Sequence, residues 1–145
     1  MHEVKEEIEA RLEDVLKETR APKEIHREYE KAERLKEKIR IASVKEAERL
    51  AITISCLSNP KRLLLLSMLA RPHCTCILSK LLGEDQSLIA HHLAKLKACG
   101  LVIEKRIGRS RMYVRNEEAL RTLLVKLIDF LELALDGKQD FDATG

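Results

Sequence analysis

Cys74 and Cys76 stand one residue apart and directly follow His73; further on come Gln86, Ser87, Ala90, His91 and Lys95, and then Arg106, Arg109, Ser110 and Arg111 around Gly108. Each group suggests a chemistry. Two thiolates suit soft ions such as As(III), Cd(II), Pb(II) or Zn(II). They leave a tetrahedral ion short of ligands, and His73 is a candidate third donor, although adjacent side chains on a helix diverge. The pair can equally be read as a redox switch, or as neither. A bond within one CxC is strained, so oxidation is expected to engage another thiol or another subunit. The second group, at helical spacing, offers edge-reading donors and acceptors: Gln pairs with adenine N6/N7 and Ser with several base edges. The plain reading of Gln86 and Ser87 is capping and solvation. His91 is open between a phosphate contact, a surface role and base readout, and His92 points differently and is expected in the core. The arginines suit a narrow minor groove, where negative potential is concentrated; their plain reading is a solvated hairpin.

The net charge of +3 conceals a strong asymmetry. Residues 1–55 hold 13 Lys/Arg against 14 Asp/Glu, residues 56–115 hold 11 against three, and residues 116–145 hold three against seven. The basic block coincides with the candidate contact residues, and a basic surface favours phosphate and makes binding salt-dependent. An acidic protein or a lipid surface would also satisfy it. No apolar run is long enough for a bilayer, and the acidic amino terminus is unlike a signal peptide. Four cysteines without a framework of spacings point to a reducing, cytoplasmic interior, and Cys56 and Cys99 read as buried structural thiols. No paired acids, no Cys/His nucleophile and no phosphate-cradling loop are found, so an enzyme is not expected.

The elements that must position these residues are helical. Val4, Ile8, Leu12 and Val15–Leu16 predict a helix over 3–19, broken at Ala21-Pro22. A second charged helix is expected to carry Ile25, Tyr29, Ala32, Leu35 and Ile39 on one stripe, either as a solvated arm or as an intermolecular contact. Ser43 and Glu46 form a capping-box pattern before a helix with Leu50 and Ile54. Asn59-Pro60 opens the next helix, which is apolar nearly all round and reads as the centre of the core. Its first-turn Lys61 and Arg62 sit where cations are unfavourable; a phosphate, an acidic partner or a tolerated surface charge would account for them. A short helix from Cys74 to Leu82 ends at Gly83, Asp85 is placed to cap a helix over Gln86–Cys99, and Leu88, Ile89, His92 or Leu93, and Leu96 should face inward. Leu101–Ile107 and Arg111–Val114 predict a hairpin, followed by a last helix from Asn116 or Glu117 to about Leu135. The fold class is mainly α with a small β-hairpin, a winged helix-turn-helix with an α/α/α/α/β/β/α core and an amino-terminal helical extension. The expected divisions are a charged helical arm over 1–42, a winged DNA-binding and dimerisation domain over 43–137, and a flexible tail over 138–145.

In SNPKRLLLLSML, HCTCILSKLLG, DQSLIAHHLAKLKACGLV and EKRIGRSRMYVR, taken in that order, the chain resembles the ArsR/SmtB family of winged-helix repressors over residues 44–135. The resemblance implies a homodimer seamed by the first and last helices, with the wing and the helix at Gln86 facing a near-palindromic double-stranded operator. It implies repression relieved by a thiophilic metal or metalloid, with Cys74 and Cys76 matching the sensing motif and no obligatory cofactor. The chain departs from the pattern at Ile77, where many members carry an acidic residue. It also lacks histidine in the last helix, which removes the family's interfacial zinc site and leaves only Asp129 and Glu132. Residues 1–55 hold no cysteine, so only His2 and His26 could supply a ligand from that region. Two other readings stay open: a winged-helix regulator answering to redox or to a protein partner of the amino-terminal arm, and an interaction module without a specific operator.

Overall fold

The computed structural model describes residues 8–132, so the expected tail and His2 lie outside the described residues. The described chain divides into two compact units, one within residues 8–47 and one over Glu48–Leu131. The division falls inside a helix, a few residues beyond the expected boundary at 42.

The first unit departs from the sequence expectation. Residues Ile8–Arg11 are a strand, β1, and not part of the helix expected over 3–19, and the helix α1 runs only over Leu12–Thr19. The second helix, α2, ends at Lys31 rather than continuing to Ile39, and Lys38–Ile41 form β2, antiparallel to β1 with Ile8 opposite Ile41 and Arg11 opposite Lys38. The reversal is local. Glu33 takes a left-handed φ of 57°, Arg34 lies over the Tyr29 ring at 5.2 Å from its centroid, and its Nε donates to Glu37 Oε2 at 2.7 Å. These contacts turn the chain where apolar spacing alone suggested one continuous stripe. Leu12 and Leu16 are the buried residues of α1.

The second unit contains the winged fold. Helix α3 covers Val44–Ser55, with Ser43 Oγ accepting from the Glu46 amide at 3.4 Å. Helix α4, Pro60–Met68, starts as expected: Asn59 accepts from the Lys61 and Arg62 amides. A short strand, β3, over His73–Cys74 precedes α5, Thr75–Leu82, and α6, Gln86–Ala98. Strands β4, Val102–Ile107, and β5, Ser110–Arg115, form the hairpin, and α7 spans Glu117–Leu131. The sheet order is β3-β5-β4, all antiparallel. The third strand was not expected: the short helix was to begin at Cys74, but His73 and Cys74 lie opposite Tyr113 and Met112.

Leu65, Leu69, Leu78, Ile89, Leu93, Leu96 and Leu101 are fully buried and are joined by Leu50, Leu66, Val102, Tyr113 and Leu123 in one core. Helix α4 contributes one face and not its whole circumference, since Leu63 and Leu64 are about half exposed. Its outer leucines, Ile52 of α3, and Leu124, Val125, Ile128 and Leu131 of α7 leave apolar surface in solvent. Among the described residues no helix is long and apolar enough to cross a membrane.

Candidate nucleic-acid interface

Helix α6 owes its orientation to two turns and a buried face. Gly83, at φ 64°, caps α5 in the left-handed conformation that glycine adopts without steric cost. Ser79 bonds the Glu84 carbonyl and accepts the Glu84 amide on its own carbonyl, which closes the turn. Asp85 occupies the cap position, but its side chain makes no capping bond. Ile89, His92, Leu93 and Leu96 face inward, Leu88 is half-buried, and Gln86, Ser87, Ala90, His91 and Lys95 are all exposed. The five α6 residues singled out in the sequence therefore share the outer side of one helix.

The hairpin places Arg106 directly opposite Arg111 and Ile107 opposite Ser110, leaving Gly108-Arg109 as its tip. Gly108 has φ 61°, which permits the tight reversal. Arg106, Arg109, Ser110 and Arg111 are exposed, but they are not equivalent. Glu104 on β4 accepts a hydrogen bond from Lys97 of α6 and forms an ion pair with Arg111, whose Nε lies 3.2 Å from Glu104 Oε1. The Lys97 hydrogen bond, followed by the nearby arginines, holds the Glu104 carboxyl below its usual range. Among the described residues Lys105, Arg106 and Arg109 have no ion-pair partner, so their charge is the wing's uncommitted part.

Several positioning residues were not legible as such. Arg62, expected at the surface, is buried to 9% exposure. Its Nε donates to the Cys56 carbonyl at 2.6 Å and its Nη2 to the Ser55 carbonyl at 3.4 Å, so the cation satisfies the carboxy-terminal end of α3. Its Nη1 lies 3.5 Å from His92 Nδ1. The misfit of an arginine in a helix's first turn was the only signal. Lys61 pairs with Glu84, which answers the question of its own placement. Burial, then the Arg62 charge, push the His92 imidazole below its ordinary pKa of 6.5; the core role expected for it is what is observed. Asn116 accepts from the Ala119 amide and donates to the Gly100 carbonyl at 3.2 Å, tying the start of α7 to the end of α6. Arg115 joins the wing to α4, through its amide to the Leu69 carbonyl at 2.9 Å and its guanidinium to the Leu66 carbonyl at 3.2 Å.

The cysteines depart most from expectation. Cys74 is bonded to Cys76 and Cys56 to Cys99, with Cα separations of 5.4 and 6.8 Å. Cys56 and Cys99 are thus a bonded pair and not isolated structural thiols, because the fold brings the end of α3 to the end of α6. Within the CxC, the extended backbone of Cys74 before α5 brings the two sulfurs together. As a metal centre the pair is incomplete: among the described residues no group of three or more His, Cys, Asp or Glu is placed to hold an ion. His73, in β3, does not complete it.

Residues 59–104 match the profile described as bacterial regulatory protein, arsR family. The chain is 31% identical over 93 residues to the transcriptional repressor SmtB homolog of Synechocystis sp., covering 63% of this chain and 70% of that protein. It is 34% identical over 83 residues to the HTH-type transcriptional regulator NmtR of Mycobacterium tuberculosis, covering 57% of this chain and 69% of the relative. The crystal structure of NolR from Sinorhizobium fredii superposes with a TM-score of 0.51 at 32% identity, over 62% of this chain and 91% of the other. The chain belongs to the ArsR family of bacterial regulatory proteins, with a winged helix-turn-helix fold. It is a transcriptional regulator and not an enzyme.

Proposed function

We propose that the protein is a homodimeric, sequence-specific DNA-binding regulator that represses by occupying its operator. The observation that carries this reading is the exposure, on one unit, of the Gln86, Ser87, Ala90, His91 and Lys95 side of α6 together with a hairpin tipped by Arg109. The helix would enter the major groove, with Gln86 and Ser87 reading base edges. Arg106, Arg109, Ser110 and Arg111 would meet phosphate or the minor groove, Arg111 less freely because Glu104 holds it. The missing side-chain cap at Asp85 leaves first-turn amides of α6 for a phosphate.

Dimerisation is supported by apolar residues left in solvent on α3 and α7, the latter exposing Leu124, Val125, Ile128 and Leu131. A two-fold partner would bury them and set two recognition helices about 34 Å apart, matching a near-palindrome. Such a regulator works in the compartment that holds the chromosome, the cytoplasm.

Relief by a thiophilic ion is the narrower part of the reading. Reduced Cys74 and Cys76 supply two soft donors, and an ion such as As(III), Cd(II), Pb(II) or Zn(II) would need the remainder from elsewhere, such as a second copy. Cd(II) titration of the reduced protein should give a sulfur charge-transfer band and weaken operator binding; absence of both removes the metal from the account.

The testing experiment is selection from random duplexes, followed by anisotropy titration of the selected sequence and of a scrambled one. The reading expects a pseudo-palindromic consensus and a large affinity ratio between the two. Equally weak, salt-sensitive binding to every duplex would instead favour an interaction module without an operator.

A further inference from the structure

Cys56 directly follows α3 and Cys99 caps the carboxy-terminal end of α6, at a sequence separation of 43 and with 6.8 Å between their Cα atoms. Both are half-buried against the same leucine core. Arg62 makes a second tie at the same place, from the Cys56 carbonyl to His92 of α6. The other bonded pair is different in kind. Cys74 and Cys76 are two positions apart at one β3–α5 junction, so their bond joins parts that the backbone already holds together.

We propose that Cys56 and Cys99 form a reversible dithiol–disulfide modification site, oxidised by a small peroxide, whose bond fixes the carboxy-terminal end of α6 to the end of α3. In the first step one thiol gives up its proton, its thiolate attacks a peroxide oxygen, the O–O bond breaks, and the departing hydroxide takes up that proton, leaving a sulfenic acid and water. The second sulfur then attacks the sulfenic sulfur, the S–O bond breaks, and the departing hydroxide takes up the second thiol's proton to form another water. Two electrons leave the thiols and hydrogen peroxide becomes two waters. A dithiol reductant reverses the exchange. Reduction removes the covalent tie between the two helix ends and leaves the Arg62 contacts to hold them. In the bonded state described here the outer side of α6 is fully presented. The consequence for DNA rests on the function proposed above: a pre-set α6 binds its operator more tightly than one whose last turn is released.

The test uses the full chain carrying Cys74→Ser and Cys76→Ser, reduced, treated with hydrogen peroxide, alkylated after denaturation and digested; the unsubstituted chain, with all four cysteines mapped, serves equally should the variant fold poorly. The proposal expects a monomer lighter by about 2 Da, one linked peptide pair joining Cys56 to Cys99, reversal by dithiothreitol, and slower amide exchange over 95–99 in the oxidised form. It also expects about threefold or greater gain in duplex affinity on oxidation. Alkylation of both thiols after peroxide, or a bond between two chains, overturns the site. A mapped bond with unchanged affinity for a selected duplex overturns its regulatory consequence. Failure of both redox forms to bind any duplex, with the bond mapped, confirms the site and overturns the DNA reading instead.

Discussion

The recognition helix and the wing carry their outward groups on very different foundations. Behind α6 stand Ile89, Leu93 and Leu96, all fully buried, and the Arg62–His92 contact. Behind the wing tip stand β4 and β5, with β3 alongside only at Met112 and Tyr113, anchored at their far end by Arg115 and along their length by Glu104. A side chain on the first foundation returns to one position, which is what hydrogen bonding to a particular base edge requires. A guanidinium on the second can follow a phosphate or a groove of varying width, which needs charge more than fixed geometry. On the proposed function, the difference would give selectivity to α6 and salt-dependent grip to the hairpin.

Removing the foundation of α6 should have the largest effect. Leu93→Ala empties a fully buried position and should cost about 2–5 kcal/mol of stability, measured as a shift in urea midpoint, with DNA binding lost only as folding is lost. Next is Gln86→Ala, which should leave the fold intact and reduce discrimination between selected and scrambled duplexes by about 1–3 kcal/mol; unchanged selectivity would remove Gln86 from base readout. Arg109→Ala should weaken all duplexes alike and lower the slope of log affinity against log salt by about one unit. If Arg109→Ala changed sequence preference instead, the division between helix and wing would be wrong.

The smallest expected effect concerns pH. Since the folded chain holds the His92 imidazole below its ordinary 6.5, the unfolded chain binds its proton more readily. Stability should therefore be full above about pH 6.5 and fall as the solution is acidified through that value. Urea midpoints between pH 7.5 and 5 check this, and His92→Gln should flatten the slope. A slope that survives the substitution would place the acid sensitivity elsewhere.

Where the sequence was legible, punctuation made it so. Asn59-Pro60, Gly83, Gly100 and Gly108 mark helix starts, caps and the hairpin turn by backbone constraints that act within a few residues. The recognition helix and the wing lie between such marks, and their exposed residues follow from periodicity. Residues 8–41 carry no glycine, and their apolar spacing fits a helix as well as the two short strands that form. The turn that separates the alternatives depends on Arg34, Tyr29 and Glu37, whose meeting no local pattern encodes. Arg62, β3 and the Cys56–Cys99 pair were hidden for a related reason: each is defined by a partner distant in sequence or by tertiary burial.

The short strand β3 has a consequence for how the CxC segment communicates. Cys74 is a rung of the same ladder as the hairpin, opposite Met112, which is two positions from Ser110 at the turn. Movement of Cys74 is consequently movement of the wing's own backbone, delivered through interstrand hydrogen bonds before any helix need shift. On the proposed function, a stimulus arriving there would have a direct mechanical line to the arginine-bearing fingertip, and α6 could stay still while the hold on the double strand changed.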